Sequence, residues 1–382
     1  MSKSNKVLYV SNIDISLSKG PSVNEIEFID ALIRHADVEV EVYVPKLRNE
    51  LRSELRDYVT EITDENIENK NILSIIKTEY ALYKKFISLA NDHTCSAIFT
   101  RVSVFPISLF LTAKRLEGRY YVKTMGDGEF RFFKSIRVVG VFIAWLHSVL
   151  FKRIIKHAKA VDVVTDTHKL SLENNLTCHG KVHVVSNKVN TNIFYPRERD
   201  SILKKHKMEQ YDYIIGYVGN DPLKRGAKEL IFIINKLRNE YRVNVGGVIV
   251  GDFKIENKKD LDHINCFGQV EYSLVPEIMC LLDVGVSFLP KWHRGACEQK
   301  VRQYIATGVV PIVTPGGSSF VEDAGVGYVF ENDDLDKLTT EVLNILKNEN
   351  LADKKEKCVI YANEELTHKK LATERLKVFN AN

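Results

Sequence analysis

The chain has 382 residues, 45% hydrophobic and 27% charged, a globular composition too long for one core, since single cores rarely grow past roughly 250–300 residues. A net charge of +4 and a pI near 8.5 are too mild to indicate nucleic acid as a partner, and no single-sign or Pro/Ser/Gly-rich tract marks a disordered tail. Six cysteines (Cys95, Cys178, Cys266, Cys280, Cys297, Cys358) form no C-x-x-C pair, and residues 1–6 are polar rather than signal-like, so a reduced cytoplasmic setting is expected. The Cys178–His179 neighbours lack the further ligands that zinc requires, and no metal is expected.

The chain opens on the apolar run 6–10, then a loop at 16–22, a segment of helical period at 23–35 and strict alternation at Val38, Val40, Val42 and Val44. Strand, helix, strand in that order predicts a β-α-β unit and a parallel sheet. Helices are predicted near 75–91 and 106–116, and strands at 96–100, 120–124, 161–165 and 181–185, completing a doubly wound first domain. The pattern restarts with a strand at 214–218, a loop at 219–226, a helix at 227–239 and a strand at 243–250. Further strands are predicted at 265–267, 284–288, 310–313 and 327–330. Pro196 and the charges around it mark a linker, which sets the domains at 1–196 and 197–364. The helical tail 365–382 is expected to cross back onto the first domain.

Between 131 and 161 the chain carries seven Lys/Arg and no acid, around an apolar run at 138–151 of about 14 residues, short of the ~20 that span a bilayer. Two readings stay open: a core helix, or a helix lying on an anionic inner-leaflet membrane surface, which would make the protein peripheral.

In an α/β sheet, ligands bind beyond the carboxyl ends of strands, so the loops there carry the chemistry. Lys19-Gly20-Pro21-Ser22 precedes a helix: Gly20 and Pro21 are either a phosphate cradle or a plain turn. In the loop 219–226, Lys224 and Arg225 sit at a helix N-terminus, where cations oppose the helix dipole, so a phosphate partner would explain them. On a helix from about Cys297 to Ala306, Lys300 and Gln303 share a face, one suited to a diphosphate and the other to ribose hydroxyls. Asp127 and Glu129, in the Gly-rich loop after the strand at 120–124, are placed to act on an acceptor hydroxyl or to hold sugar hydroxyls; a structural turn is the other reading.

Five segments in order together resemble glycosyltransferase family 4, retaining enzymes of GT-B fold. They are KVLYVSN with GPSVNEIEFIDAL and VEVYVP; HAKAVDVVT with VHVVSNKVNTNIFYP; IIGYVGNDPLKRGAKELI; FGQVEYSLVPEIMCLLDVGVSFLP; and QKVRQYIATGVVPIVTPGG. The resemblance implies two Rossmann-like doubly wound domains facing across a cleft. It further implies a nucleotide-sugar donor in the C-terminal domain, a glycan or lipid-linked acceptor in the N-terminal one, and transfer with retention in surface polysaccharide assembly. No metal or other cofactor is implied, because basic side chains and helix N-termini meet the leaving diphosphate.

The chain also departs from that family. Its Glu-x7-Glu pair aligns with Gly295 and Gln303, leaving Glu298 nearby; the basic residue after the glycine of YVG is Asn220; the N-domain histidine is replaced by Met125 and Gly126; and Asn187-Lys-Val-Asn190 stands where NGVD is usual. The expected catalytic residues are therefore Asp127 and Glu298, and the donor contacts Gly20, Pro21, Lys224, Arg225, Lys300 and Gln303. The departures leave a second reading, a non-catalytic GT-B protein that binds nucleotide or serves as an assembly partner. A GT-B sugar-nucleotide epimerase is a third.

Overall fold

A computed structural model of the chain describes residues 6–17, 20–66, 71–92, 97–101, 106–124, 137–176, 180–253, 258–291, 295, 298–348 and 350–380. It divides into two compact units, Met1–Asn187 with His368–Asn382, and Lys188–Thr367. Residues 188–196 belong with the second unit because the Val189 N–H donates to the Leu366 carbonyl at 2.8 Å and Phe194 is buried in that unit's core.

Unit 1 is built on β1 (Lys6–Val10), β2 (Glu39–Val44), β3 (Val59–Glu61), β4 (Ala97–Arg101), β5 (Tyr120–Lys123), β6 (Ala160–Val163) and β7 (Val182–Val184). Their order is β3-β2-β1-β4-β5-β6-β7 and every pairing is parallel. β2 shows the expected alternation, with Val40, Val42 and Val44 buried. β4, β5 and β6 are buried along their whole length, as strands covered on both faces must be. Helices Ile72–Asn91, Ile107–Thr112 and Arg137–His157 send Leu82, Phe86, Leu109, Ala113, Phe151 and Ile154 into one core on one side of the sheet. Helices Gly20–His35 and His368–Asn380 send Phe28, Ile29, Leu371 and Ala372 into the other.

Unit 2 contains β8 (Tyr213–Val218), β9 (Val245–Val250), β10 (Ile264–Gly268), β11 (Val284–Ser287), β12 (Val310–Val313) and β13 (Tyr328–Val329), ordered β10-β9-β8-β11-β12-β13, again all parallel. Each unit is thus a doubly wound Rossmann-like sheet whose strand order reverses once, between β1 and β4 in the first and between β8 and β11 in the second. Those switch points are where such sheets open a crevice at their carboxyl edge.

Helix Ile72–Asn91 begins earlier than the sequence predicts because the Asn71 side chain caps it, accepting from the Leu73 N–H at 3.0 Å. The tail is two helices, Leu351–Glu365 in unit 2 and His368–Asn380 in unit 1. A buried ion pair docks the last of these: Arg375 Nε donates to Asp162 Oδ2 at 2.9 Å while its guanidinium lies 4.1 Å from the Phe28 ring centre. His368 Nδ1 lies 3.2 Å from Glu27, but burial lowers that imidazole's pKa to about 4 and keeps it neutral. Glu27, Asp30 and His368 are close enough to resemble a metal-ligand trio. However, Arg52 stands 3.5 Å from Glu27, and Arg34, one turn along the same helix, 2.7 Å from Asp30, so both carboxylates already have cationic partners.

Candidate functional site

At the unit 2 switch point, the chain leaves β8 through Gly219 (φ +146°), turns at Asp221 (φ +52°) and a 3-10 turn Pro222–Lys224, and enters helix Ala227–Asn239 through Gly226 (φ +122°). Glycine is required at the two ends. A Cβ on Gly226 would stand 3.0 Å from the Phe288 backbone nitrogen just after β11, and one on Gly219 would stand 3.6 Å from Lys300 Nζ. Gly251, after β9, packs against the same loop so tightly that a Cβ there would meet the Gly219 carbonyl oxygen at 2.2 Å.

Helix Gln299–Ala306 begins beside this loop. Its N-cap residue Glu298 is extended and makes no side-chain capping bond, and Gly226, at the start of helix Ala227–Asn239, has no side chain to cap with. Helices Arg199–His206 and Leu351–Glu365, by contrast, are capped by Glu198 and Asn350. Two helices therefore open on the crevice with first-turn N–H donors free of side-chain caps, the arrangement that receives anions.

Two cations share one carboxylate there. Glu298 Oε1 lies 3.4 Å from Arg225 Nη1 and 3.3 Å from Lys300 Nζ, and Glu298 Oε2 has no hydrogen-bond partner among the described residues. Lys300 is only 8% exposed and stands 3.8 Å from the centre of the Tyr217 ring. Burial pulls its pKa down to about 8, against the pull of Glu298 in the other direction. Tyr217 donates to the Asn220 carbonyl (2.7 Å), and Tyr304, on the same helix as Lys300, accepts from the Val218 N–H (2.8 Å), so hydroxyls hold loop and helix to the end of β8. One turn beyond Lys300, Gln303 Nε2 donates to the Tyr272 hydroxyl at 3.3 Å, and Tyr272 packs edge-on against Phe194. Chemically this is a desolvated pair of cations bridged by a carboxylate, with an amide and an aromatic ring at its side, a chemistry suited to a diphosphate with a ribose and base beside it.

The structure brings Arg225, Glu298 and Lys300 together and sets Gln303 one turn away. Lys224 lies exposed at the end of its 3-10 turn, while Arg225 turns inward. Gly20 and Pro21 form the first turn of helix Gly20–His35, a position that suits proline. Asp127 and Glu129 lie outside the described residues, as do Met125 and Gly126.

Unit 1 has a second crevice at its own switch point. It is a narrow cleft of about 10 Å3, room for about one water, between Ser11 and Asn12 after β1, Thr100 and Arg101 at the end of β4, and Glu79 on helix Ile72–Asn91. Burial raises the Glu79 carboxyl above its usual range even though it accepts the Ser108 N–H at 2.9 Å. Behind Arg101 lies a buried cluster in which Glu25 accepts from Tyr9 and from Arg101 (2.8 Å) and pairs with Lys123 (2.8 Å). Burial alone would raise Glu25, but Lys123, Arg101 and Arg375 outweigh it and hold the carboxyl at about 2. Sequence reading missed Tyr217, Tyr272, Glu79 and Glu25. The tyrosines sit in strand and turn patterns that any core would show, and the glutamates sit in helices where an acid ordinarily faces water.

No family model matches the chain, and no curated protein matches it by sequence. Solved structures do match. Sucrose-phosphate synthase from Thermosynechococcus elongatus superimposes with a TM-score of 0.71 at 13% identity over 99% of this chain and 99% of that one. HepE of Anabaena, crystallised with UDP, gives 0.71 at 11% identity over 99% and 100%. WaaG, a glycosyltransferase involved in lipopolysaccharide biosynthesis, gives 0.68 at 13% identity over 98% and 100%. At these identities the likeness shows the fold, which is GT-B with two Rossmann-like units.

Proposed function

We propose that this chain is a glycosyltransferase that takes a sugar from a nucleotide-sugar and passes it to a glycan or lipid-linked acceptor in surface polysaccharide assembly. The carrying observation is the buried Lys300, joined to Arg225 through Glu298, beside two helix N-termini at the β8/β11 switch point. The UDP bound by the Anabaena neighbour and the lipopolysaccharide role of WaaG favour this reading over other GT-B ones.

In this reading Arg225, Lys300 and the first-turn N–H groups take the charge that develops on the departing diphosphate, so a divalent ion is dispensable. Gln303 serves ribose hydroxyls as both donor and acceptor. Glu298 holds the two cations together and keeps Oε2 for a sugar hydroxyl. Unit 1 takes the acceptor, with Asp127, which follows β5 in the sequence, as the other carboxylate. Retention follows from the sequence resemblance to glycosyltransferase family 4, and the proposed setting is the cytoplasm.

The test is a thermal-shift screen against UDP, GDP, CMP, dTDP, ADP and their common sugars, followed by turnover with the donor that binds. One nucleotide should raise the melting temperature. Lys300→Ala and Arg225→Ala should each weaken binding by about 1.5–3 kcal/mol, roughly 10- to 150-fold. Silence with every nucleotide would overturn the donor site. Binding without turnover on any acceptor would leave the non-catalytic reading, for which the Gly295 and Gln303 departures already speak.

A further inference from the structure

Arg302, on helix Gln299–Ala306, is a charged side chain that the transferase reading does not use, and it is only 2% exposed. The other buried arginines among the described residues answer to a carboxylate, Arg101 to Glu25 at 2.8 Å and Arg375 to Asp162 at 2.9 Å. Arg302 has no carboxylate partner among the described residues. Its Nη1 donates to the Glu298 carbonyl at 3.3 Å, its Nε has no hydrogen-bond partner, and its guanidinium carbon lies 4.9 Å from the centre of the Phe320 ring. Phe320 in turn stacks on Tyr361 of helix Leu351–Glu365, with ring centres 6.3 Å apart. A buried cation without a counter-charge is a cost to folding, and the polar group that this one meets is the Glu298 carbonyl.

Glu298 joins Arg225 to Lys300 from an unusual place. It is the N-cap residue of helix Gln299–Ala306, extended at φ −78° and ψ 127°, and its carboxylate makes no capping bond to its own helix. Glu198 and Asn350, at the N-caps of two other helices of unit 2, turn their side chains back onto first-turn N–H groups. A carboxylate at a helix N-terminus is drawn to those N–H groups and to the dipole behind them. Glu298 reaches instead to Arg225 Nη1 (3.4 Å) and Lys300 Nζ (3.3 Å). The Arg302 side chain leans toward the helix N-terminus, as long helical side chains do, and grips the Glu298 carbonyl from one turn along the helix while Phe320 lies under its guanidinium.

We propose that Arg302 is a positioning residue for the donor site: by fixing the Glu298 main chain it holds the extended cap from which the Glu298 carboxylate bridges Arg225 and Lys300. The role rests on the donor-site reading of those two cations. Lys300 is the reporter. Around it stand the Tyr217 ring of β8, Arg225 of the loop after β8, and Glu298. The charges that act on it are those of Glu298, which raises its pKa, and Arg225, which lowers it. Arg302 is not among them, so it reaches Lys300 through the place it gives Glu298. With Arg302 gone, the carboxylate is free to swing back onto its own helix, and Lys300 loses the negative charge that favours its protonated form.

The experiment is a pH titration of Lys300 in the full chain, labelled with carbon-13 at lysine Cε and followed by NMR, its resonance assigned by loss in Lys300→Arg. The midpoint should lie at about 8 in the wild type. It should fall by about one pH unit, a roughly tenfold change in the acid constant, in Arg302→Met, which keeps the stem and removes the donor. Glu298→Gln should produce the same fall, and the double variant no more than either alone, because Arg302 acts through Glu298. Where Arg302→Met does not fold, Phe320→Leu, which leaves the arginine and removes the ring beneath it, takes its place and should move the midpoint the same way. An unchanged midpoint in the folded variant, with only the melting temperature altered, would make Arg302 a packing residue and overturn the proposal. So would shifts that add in the double variant. Nucleotide affinity of the wild type, measured on the same samples, tests the donor-site reading by itself: a chain that binds no nucleotide sinks that reading, while the Lys300 midpoint still decides whether Arg302 sets Glu298.

Discussion

Lys300 shows how burial sets the working range of one residue. Its ammonium, nearly sealed from water, loses its proton at about 8 rather than at 10.5. The folded value is the lower one, so between those values the unfolded chain binds more protons and this group's contribution to stability rises with pH. Ligand binding runs the other way, because a diphosphate needs the charged form. Nucleotide affinity should be flat below about pH 8 and fall by up to ~10-fold per pH unit above it, until the ligand-held pKa is reached. Calorimetric titration between about pH 7 and about pH 10 checks this, and Lys300→Arg, which keeps its charge throughout, should flatten the profile. The sequence showed that a lysine shares a helix face with Gln303. It did not show that Glu298 bridges that lysine to Arg225, because the pair is separated by three strands' worth of chain.

At the scale of elements, helix His368–Asn380 is the clearest case of a segment whose place depends on buried charge. Arg375 is 1% exposed and its partner Asp162 is buried within β6, so the pair must be kept whole. Arg375→Ala leaves an uncompensated carboxylate in the core and should cost about 3–5 kcal/mol, read by urea denaturation at neutral pH. Leu371→Ala on the same helix removes packing alone and should cost about 2–5 kcal/mol, so the two changes separate charge from cavity. Elements that sequence reading found are those with strong periodicity, such as β2 and helix Ala227–Asn239. It passed over β3, a three-residue strand with only Val59 half-buried, and helix Asp166–Leu176, whose mixed polar sequence DTHKLSLENNL carries little apolar periodicity. Such elements form because a neighbouring strand or sheet is already there to receive them.

For the whole molecule, each unit has its own sheet and its own cores, but their chain economy differs. Unit 2 is continuous from Lys188 to Thr367, whereas unit 1 needs residues from both ends of the chain. An excised 188–367 fragment should therefore fold cooperatively and retain the nucleotide-induced thermal shift. A chain ending at Thr367 should lose the first unit, since Leu371 and Ala372 belong to its core and Arg375 neutralises Asp162. Circular dichroism melts of the two shortened chains, with and without nucleotide, decide it.

The alternating runs of strand and helix, read along the chain, were enough to determine two doubly wound α/β units. Periodicity is a local property, written within each segment by the faces it must bury. Only the tertiary structure decided that Arg225, Glu298 and Lys300 meet and that Arg375 returns to Asp162. Each of these depends on which strands become neighbours, and strand order is a long-range outcome that no single segment encodes.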